Sequence, residues 1–396
     1  MAPPRPVVST DHRRALAVAA VAGLLVLAWQ WLTVHYNFHG EWTALFRISS
    51  VFARPGAIAR EHLYVFPPNI GFDGVFFHMM AHRPWINAGT VAAMDAPTLR
   101  YGRILVPLLA WMLAFGRDAW IDAAYVAVIA SFVALGAYWL SRLAMDAGRK
   151  PQWGLLFILM PATITSVDAM VCDVALCALV LGFAWCAQRA QYGRAAIILG
   201  LGLLVRETAL PIFVGYGAFL LSRQRLRDAI VLAAAALPGI CWLSYIRLSG
   251  VHDASGVAWF LGWLPLGGLA RRLAHPRVFN LPPVANAVAV VLDNAALLGA
   301  LAALCMAGAL AWKRRWDPVA AAAYGLAIFF LFMRDEQEWL APYGYGRVMT
   351  PLLLLVALKF MPRSPWLAFA PALAISARLG LNLAEQLVGV IRGILG

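Results

Sequence analysis

From Ala15 to Val34 the chain runs through twenty residues without a charged side chain. That is about the length a helix needs to cross the hydrocarbon core of a bilayer. Apolar runs of similar character recur to the end of the chain, separated by short polar loops. Such a chain cannot hide its apolar surface in a water-soluble core: 62% of its residues are hydrophobic and 13% charged, where soluble domains carry about a quarter charged. The fold expected is an all-α, polytopic transmembrane helical bundle, because a helix satisfies its own backbone groups in lipid.

The net charge of +13 does not point to nucleic acid. The basic residues come as short clusters between apolar runs, with no basic domain to form a footprint, and loops facing anionic lipid headgroups account for them. The five cysteines (Cys172, Cys177, Cys186, Cys241, Cys305) all lie in apolar runs without a C-x-x-C pair, so they read as small core hydrophobes. His12-Arg13-Arg14 before the first run resembles the start of a signal peptide. The run is too long for one and lacks a small-residue cleavage site, so it is expected to remain as the first helix.

Three lysines occur, Lys150, Lys313 and Lys359, each in a short basic loop (RLAMDAGRKP, WKRRWDP, LKFMPR), while QRAQYGR (188–194) and SRQRLRD (222–228) carry only arginine. Short basic loops stay cytoplasmic, which puts these five and the N-terminus inside. Residues 15–34 then run outward, 35–118 stay outside, 119–141 return, 152–167 go out and 168–187 come back. The run 195–221 has basic loops at both ends and Arg206-Glu207-Thr208 near its middle, so two half-length helices meeting at that polar point are expected. After it, 229–247, 285–312, 318–333 and 347–361 alternate, and a last apolar stretch from Trp366 has an ambiguous end. The total is about ten to eleven membrane segments. RYGRILVPLLAWMLAFG (100–116) is too short to span and reads as an interfacial helix of the first outer loop.

On this map Asp73, Asp95, Asp168, Asp173, Glu207, Asp253, Asp335, Glu336 and Glu338 lie on the outer face or within reach of it. Chemistry there cannot draw directly on nucleotide sugars or ATP. Asp73, in PNIGFDGVFFHMMAH, is either a helix N-cap or a base at the membrane surface, and Gly71 and Gly74 read as room for the backbone to turn and a substrate to approach. His78 and His82 share a helical face, as a candidate metal pair or an interfacial histidine face. Asp168 and Asp173 diverge by about 140° if they lie on one helix, so one of them would point at a shared cavity. Arg206 and Glu207 are adjacent and cannot face each other well, which sends both to partners elsewhere. Arg206 suits a phosphate, because its planar fork matches phosphate oxygens. Tyr343, Tyr345 and Arg347, at the head of a returning helix, suit a sugar phosphate by stacking and ion pairing.

In their order along the chain these segments resemble the GT-C superfamily of integral-membrane glycosyltransferases. The resemblance rests on GFDGVFF after the first helix, RYGRILVPLLAW before the second span, SVDAMVCD at the next outer turn, LLVRETALP inside a hairpin and YGRVMTPL late in the chain. GFDGVFFHMMA is similar to the YDGQFYY-type segment of bacterial polytopic glycosyltransferases, and distantly to the WDG segment of glycosylphosphatidylinositol mannosyltransferases. The likeness covers 1–250 and, less fully, 330–361. It implies one integral-membrane domain over 1–396, with 1–250 as the family-like module and 251–396 as variable C-terminal helices. It further implies inverting transfer of a hexose, such as mannose, from a polyprenyl-phosphate donor to a lipid or glycan acceptor. Asp73 would be the base and Asp173 a second catalytic acid. Asp168, Arg103, Arg206, Glu207, Tyr343, Tyr345 and Arg347 would bind substrate. No cofactor is implied with certainty, and a divalent metal is left open. Val75 and His78 depart from the family pattern after the DG. A flippase for a lipid-linked glycan, or a non-catalytic envelope-assembly subunit, are the rival readings.

Overall fold

The apolar runs fold as helices, as the need to satisfy every backbone group internally requires. The structure, a computed structural model, describes residues 8–253, 260–275, 277, 279–334 and 336–396. Asp335, one of the acids expected on the outer face, lies outside the described residues. Among those described there is no β-sheet, only two isolated bridges.

The first helix, α1 (Val8–Asn37), is followed by an irregular segment carrying α2 (Gly74–His82), α3 (Ala88–Ala92), α4 (Pro97–Tyr101) and α5 (Leu105–Leu113). Then come α6 (Ile121–Asp146), α7 (Pro161–Ala169), α8 (Asp173–Gln188), α9 (Tyr192–Leu203) and α10 (Ala209–Ser222). The second half holds α11 (Leu226–Ala235), α12 (Leu237–Leu248), α13 (Gly267–Ala274), α14 (Pro283–Trp312) and α15 (Pro318–Leu331). It closes with α16 (Glu336–Leu340), α17 (Pro342–Phe360), α18 (Pro365–Asn382) and α19 (Ala384–Leu395).

Four stretches are long and apolar enough to cross a bilayer: Thr10–Asn37, Asp118–Asp146, Leu226–Leu248 and Pro283–Trp312. The pair α18–α19, bent by 57°, makes a fifth if counted as one. Length and composition alone therefore give fewer than the ten to eleven segments expected. The difference lies in short apolar helices, among them α8, α9, α10 and α15. Residues 152–167 are not one helix: a 3₁₀ segment (Pro151–Leu159) ends at extended Met160, and Pro161 restarts the chain as α7. Proline at the first helical position suits a restart, since its missing N–H would be unsatisfied there anyway. Residues 100–116 likewise divide, into the end of α4 and the nine-residue α5.

The five basic loops gather at one end of the bundle. Arg189 pairs with Asp146 at 2.7 Å, and Arg149 donates to the Pro362 carbonyl at 2.6 Å. Arg225 lies over the Tyr192 ring at 4.7 Å, Trp316 donates to Ser222 at 2.7 Å, and Lys359 pairs with Asp317 at 2.6 Å. Asp317 also caps α15, accepting from the N–H groups of Val319 and Ala320, with Pro318 at the first position. The run 195–221 breaks as expected, into α9 and α10, on either side of Val205–Thr208. Close approach of α10 to α15 needs two glycines. A Cβ at Gly215 would come within 2.2 Å of the Ala321 carbonyl oxygen, and one at Gly325 within 2.0 Å of that of Pro211.

Candidate functional site

At the end of the bundle opposite the basic loops, charged side chains form a chain of alternating sign. Asp95 takes both prongs of Arg100 at 2.9 and 2.8 Å. Arg100 reaches Asp73 at 2.9 Å, and Asp73 also accepts from Arg347 at 2.7 Å. Arg347 lies 3.7 Å from Asp173, which pairs with Arg206. Arg206 approaches Glu207 at 3.4 Å, and Glu207 receives both prongs of Arg103 at 2.9 and 2.7 Å. Sequence separations of up to 274 residues are closed in this way.

Local structure explains why each group arrives there. Asp73 stands at the N-cap position of α2, yet its side chain makes no capping hydrogen bond; it turns to the two arginines instead. Gly74 lets α2 begin against the end of α7: a Cβ there would sit 2.3 Å from the Ala169 carbonyl oxygen. That space is filled by backbone, so Gly74 serves packing and does not open a path for a substrate. Aromatic rings floor the guanidinium groups, Phe76 under Arg100 at 4.8 Å and Phe72 under Arg347 at 4.9 Å. Burial would raise the pKa of Asp73, but Arg100, Arg347 and Arg103 outweigh it and hold the carboxyl far below the usual carboxylate range.

Arg206 and Glu207 occupy the break between α9 and α10 and find partners elsewhere, in Asp173 and Arg103. Several polar atoms of this network are buried without hydrogen-bond partners: Arg347 Nε and Nη1, Arg206 Nε and Asp173 Oδ2. Buried polar atoms are nearly always satisfied, so these are the donors and acceptor that an anionic ligand with a hydroxyl could use.

Asp168 and Asp173 do not share a helix. Met170 adopts a left-handed conformation (φ 48°), ends α7 and lets Asp173 open α8. The Tyr125 hydroxyl holds the Met170 carbonyl at 3.0 Å. The angular argument for their divergence therefore does not apply; the break separates them. Asp168 joins a second cluster, with Arg47 at 2.5 Å, Tyr343 at 2.7 Å and Gln386 at 2.7 Å. Tyr345 departs from both. It is buried against Trp339, with ring centroids 5.5 Å apart, so Tyr343, Tyr345 and Arg347 do not converge as one sugar-phosphate cradle. Arg100 and Arg47, which sequence reasoning did not single out, are central to the two clusters. Their signal was an arginine among aromatics in the outer segment, but Arg100 lies 27 residues from Asp73 and Arg47 lies 121 from Asp168, and nothing local fixes a partner so far away.

His78 and His82 are buried on one face of α2, as their spacing predicts, with ring nitrogens 3.2 Å apart. Searches against protein-family models, curated proteins and solved structures give no match to this chain.

Proposed function

We propose that the protein is an integral-membrane glycosyltransferase that moves a sugar from a polyprenyl-phosphate donor to a cell-envelope acceptor on the extracytoplasmic face, with inversion. The observation that carries this reading is a carboxylate, Asp73, clasped by Arg100 and Arg347 among buried arginine atoms that meet acids only at ion-pair distance and lack hydrogen-bond partners. The resemblance of the ordered segments to GT-C enzymes supports it.

The depth of the cluster fits a lipid-borne substrate. With 12 residues in α9 and 14 in α10, the two helices rise about 18 and 21 Å, short of the ~30 Å hydrocarbon core. If the basic loops sit at the cytoplasmic headgroups, where the charge rule places them, Arg206 and Glu207 lie about 10 Å below the far boundary. The shorter helices then complete the expected ten to eleven segments. A groove of about 720 Å³ lined by Leu210, Pro211, Val214, Ile328, Phe329 and Phe332, with Arg334 among its residues, suits a prenyl chain.

In the reaction, the acceptor oxygen forms a bond to the anomeric carbon from the face opposite the phosphate. The carbon–oxygen bond to phosphate breaks, and the lipid phosphate leaves with the electron pair. Arg347 and Arg206 stabilise that charge. The acceptor's proton passes to Asp73 and then to water. A carboxylate held by two guanidinium groups is a feeble base. The donor phosphate remedies this by competing for Arg347 and Arg100, which frees Asp73 only when donor is bound.

The test is transfer from polyprenyl-phosphate sugars by the purified protein beside Asp73→Asn. The variant is expected to lose on the order of 10²–10⁴-fold in rate with its fold retained. Full activity in the variant removes Asp73 from the base role. A wild type that transfers nothing but moves labelled lipid across vesicles makes the protein a flippase.

A further inference from the structure

Away from the arginine network, at the C-terminal end of α2, two buried histidines and a carboxylate face one another. His78 Nε2 and His82 Nε2 are 3.2 Å apart, and Glu61 Oε2 lies 3.6 Å from the first and 3.4 Å from the second. Neither imidazole is more than 3% exposed. Glu61 Oε2 is buried without a hydrogen-bond partner. A tetrahedral ion with bonds of about 2.1 Å needs donor–donor edges of about 3.4 Å, and all three edges fall within 0.2 Å of that.

Four further features suit a metal. The other nitrogen of His82, Nδ1, is 3.0 Å from Asp118 Oδ1. A carboxylate behind a histidine is the arrangement that fixes the tautomer of a metal ligand and leaves its Nε2 lone pair free. Asp122 Oδ1 lies 2.8 Å from His78 Nε2, where a small side-chain rotation would bring a fourth oxygen to the ion. Glu61, Asp118 and Asp122 together exceed the positive charge nearby, since Arg83 is the guanidinium in contact, 3.3 Å from Asp118. A cavity of about 550 Å³, lined in part by Glu61, His82, Arg83 and Asp118, gives an entry path.

We propose that Glu61, His78 and His82, with Asp122 in reach, bind one divalent zinc-class cation that ties the irregular outer segment to α2 and to the start of α6. The site joins the end of the 3₁₀ turn Ile58–Arg60, the helix headed by Asp73 and the first turn of α6. Its role is to hold these three pieces together, and it stands independently of the glycosyl-transfer reading.

The experiment uses the full chain purified in detergent, stripped with chelator and re-equilibrated with zinc or cobalt. About one zinc per chain is expected by elemental analysis, and the cobalt form should show the intense visible bands of tetrahedral coordination. Glu61→Ala removes a ligand on a partly exposed loop without disturbing the buried helix, and should abolish stoichiometric binding. Asp118→Asn keeps all ligands and should weaken zinc on the order of 10–100-fold. Chelation should lower the melting temperature of wild type but not of Glu61→Ala. The proposal is overturned if wild type takes up no stoichiometric zinc or cobalt, if the cobalt spectrum is octahedral, or if both variants bind as wild type does.

Discussion

Asp73 shows how one residue's partners set its chemistry. Its pKa is lowered in the folded state, so its ion pairs stabilise the fold fully above about pH 4, the unfolded carboxylate value. The contribution fades as the pH falls below that towards the folded-state value. For the proposed sugar transfer the same clamp would keep any acid limb of kcat/KM below the working range. Arg347→Gln should bring that limb upward by on the order of 1–3 pH units, the usual effect of one adjacent arginine, and raise KM for the donor. A donor KM equal to that of wild type would separate Arg347 from the donor phosphate.

Between elements, the break joining α9 to α10 is held by charges from distant segments. Glu207→Ala would leave Arg103, only 2% exposed, as an uncompensated buried charge. The expected loss is about 3–5 kcal/mol, as for other broken buried pairs. Glu207→Ala with Arg103→Ala should cost less than the sum of the two single changes. Thermal or denaturant unfolding of all four proteins in one detergent measures that coupling, and strict additivity would mean the pair is not coupled. The crossing of α10 and α15 depends on packing instead. Gly325→Ala places a methyl within 2.0 Å of the Pro211 carbonyl oxygen, so the helices must move apart at a cost of roughly 1–3 kcal/mol. A melting temperature equal to wild type would show the crossing to be looser than drawn.

At the scale of the molecule, the two ends of the bundle differ in kind. One carries basic loops tied by exposed pairs, and the other carries the buried arginine–carboxylate network. Single cysteines introduced at Lys313 and at Arg60 should react with a membrane-impermeant maleimide from opposite sides of sealed vesicles. Labelling of both from one side would overturn the topology. The bend at Leu383 turns α19 across the end of α1, where Gln386 reaches Asp168 and its carbonyl accepts from Asn37 at 3.1 Å. That resolves the ambiguous end of the last apolar stretch as an angled closing helix.

Much of this architecture was legible from residue order. Apolar run length marked the helices, because lipid demands internally satisfied backbone. The polar triplet Arg206-Glu207-Thr208 marked the break, because unpaired charge cannot sit inside a continuous apolar helix. The spacing of His78 and His82 placed both on one face. Pairing between distant charges was not legible. Which of the 29 arginines meet Asp73 is a property of how α2, α4 and α17 pack, not of local pattern. The same holds for Glu61, which stands seventeen residues before His78 and joins it only through the folded outer segment. The sequence determined which groups are costly to bury; the tertiary structure decided how those costs cancel, because Coulomb energy depends on distance in space and not along the chain.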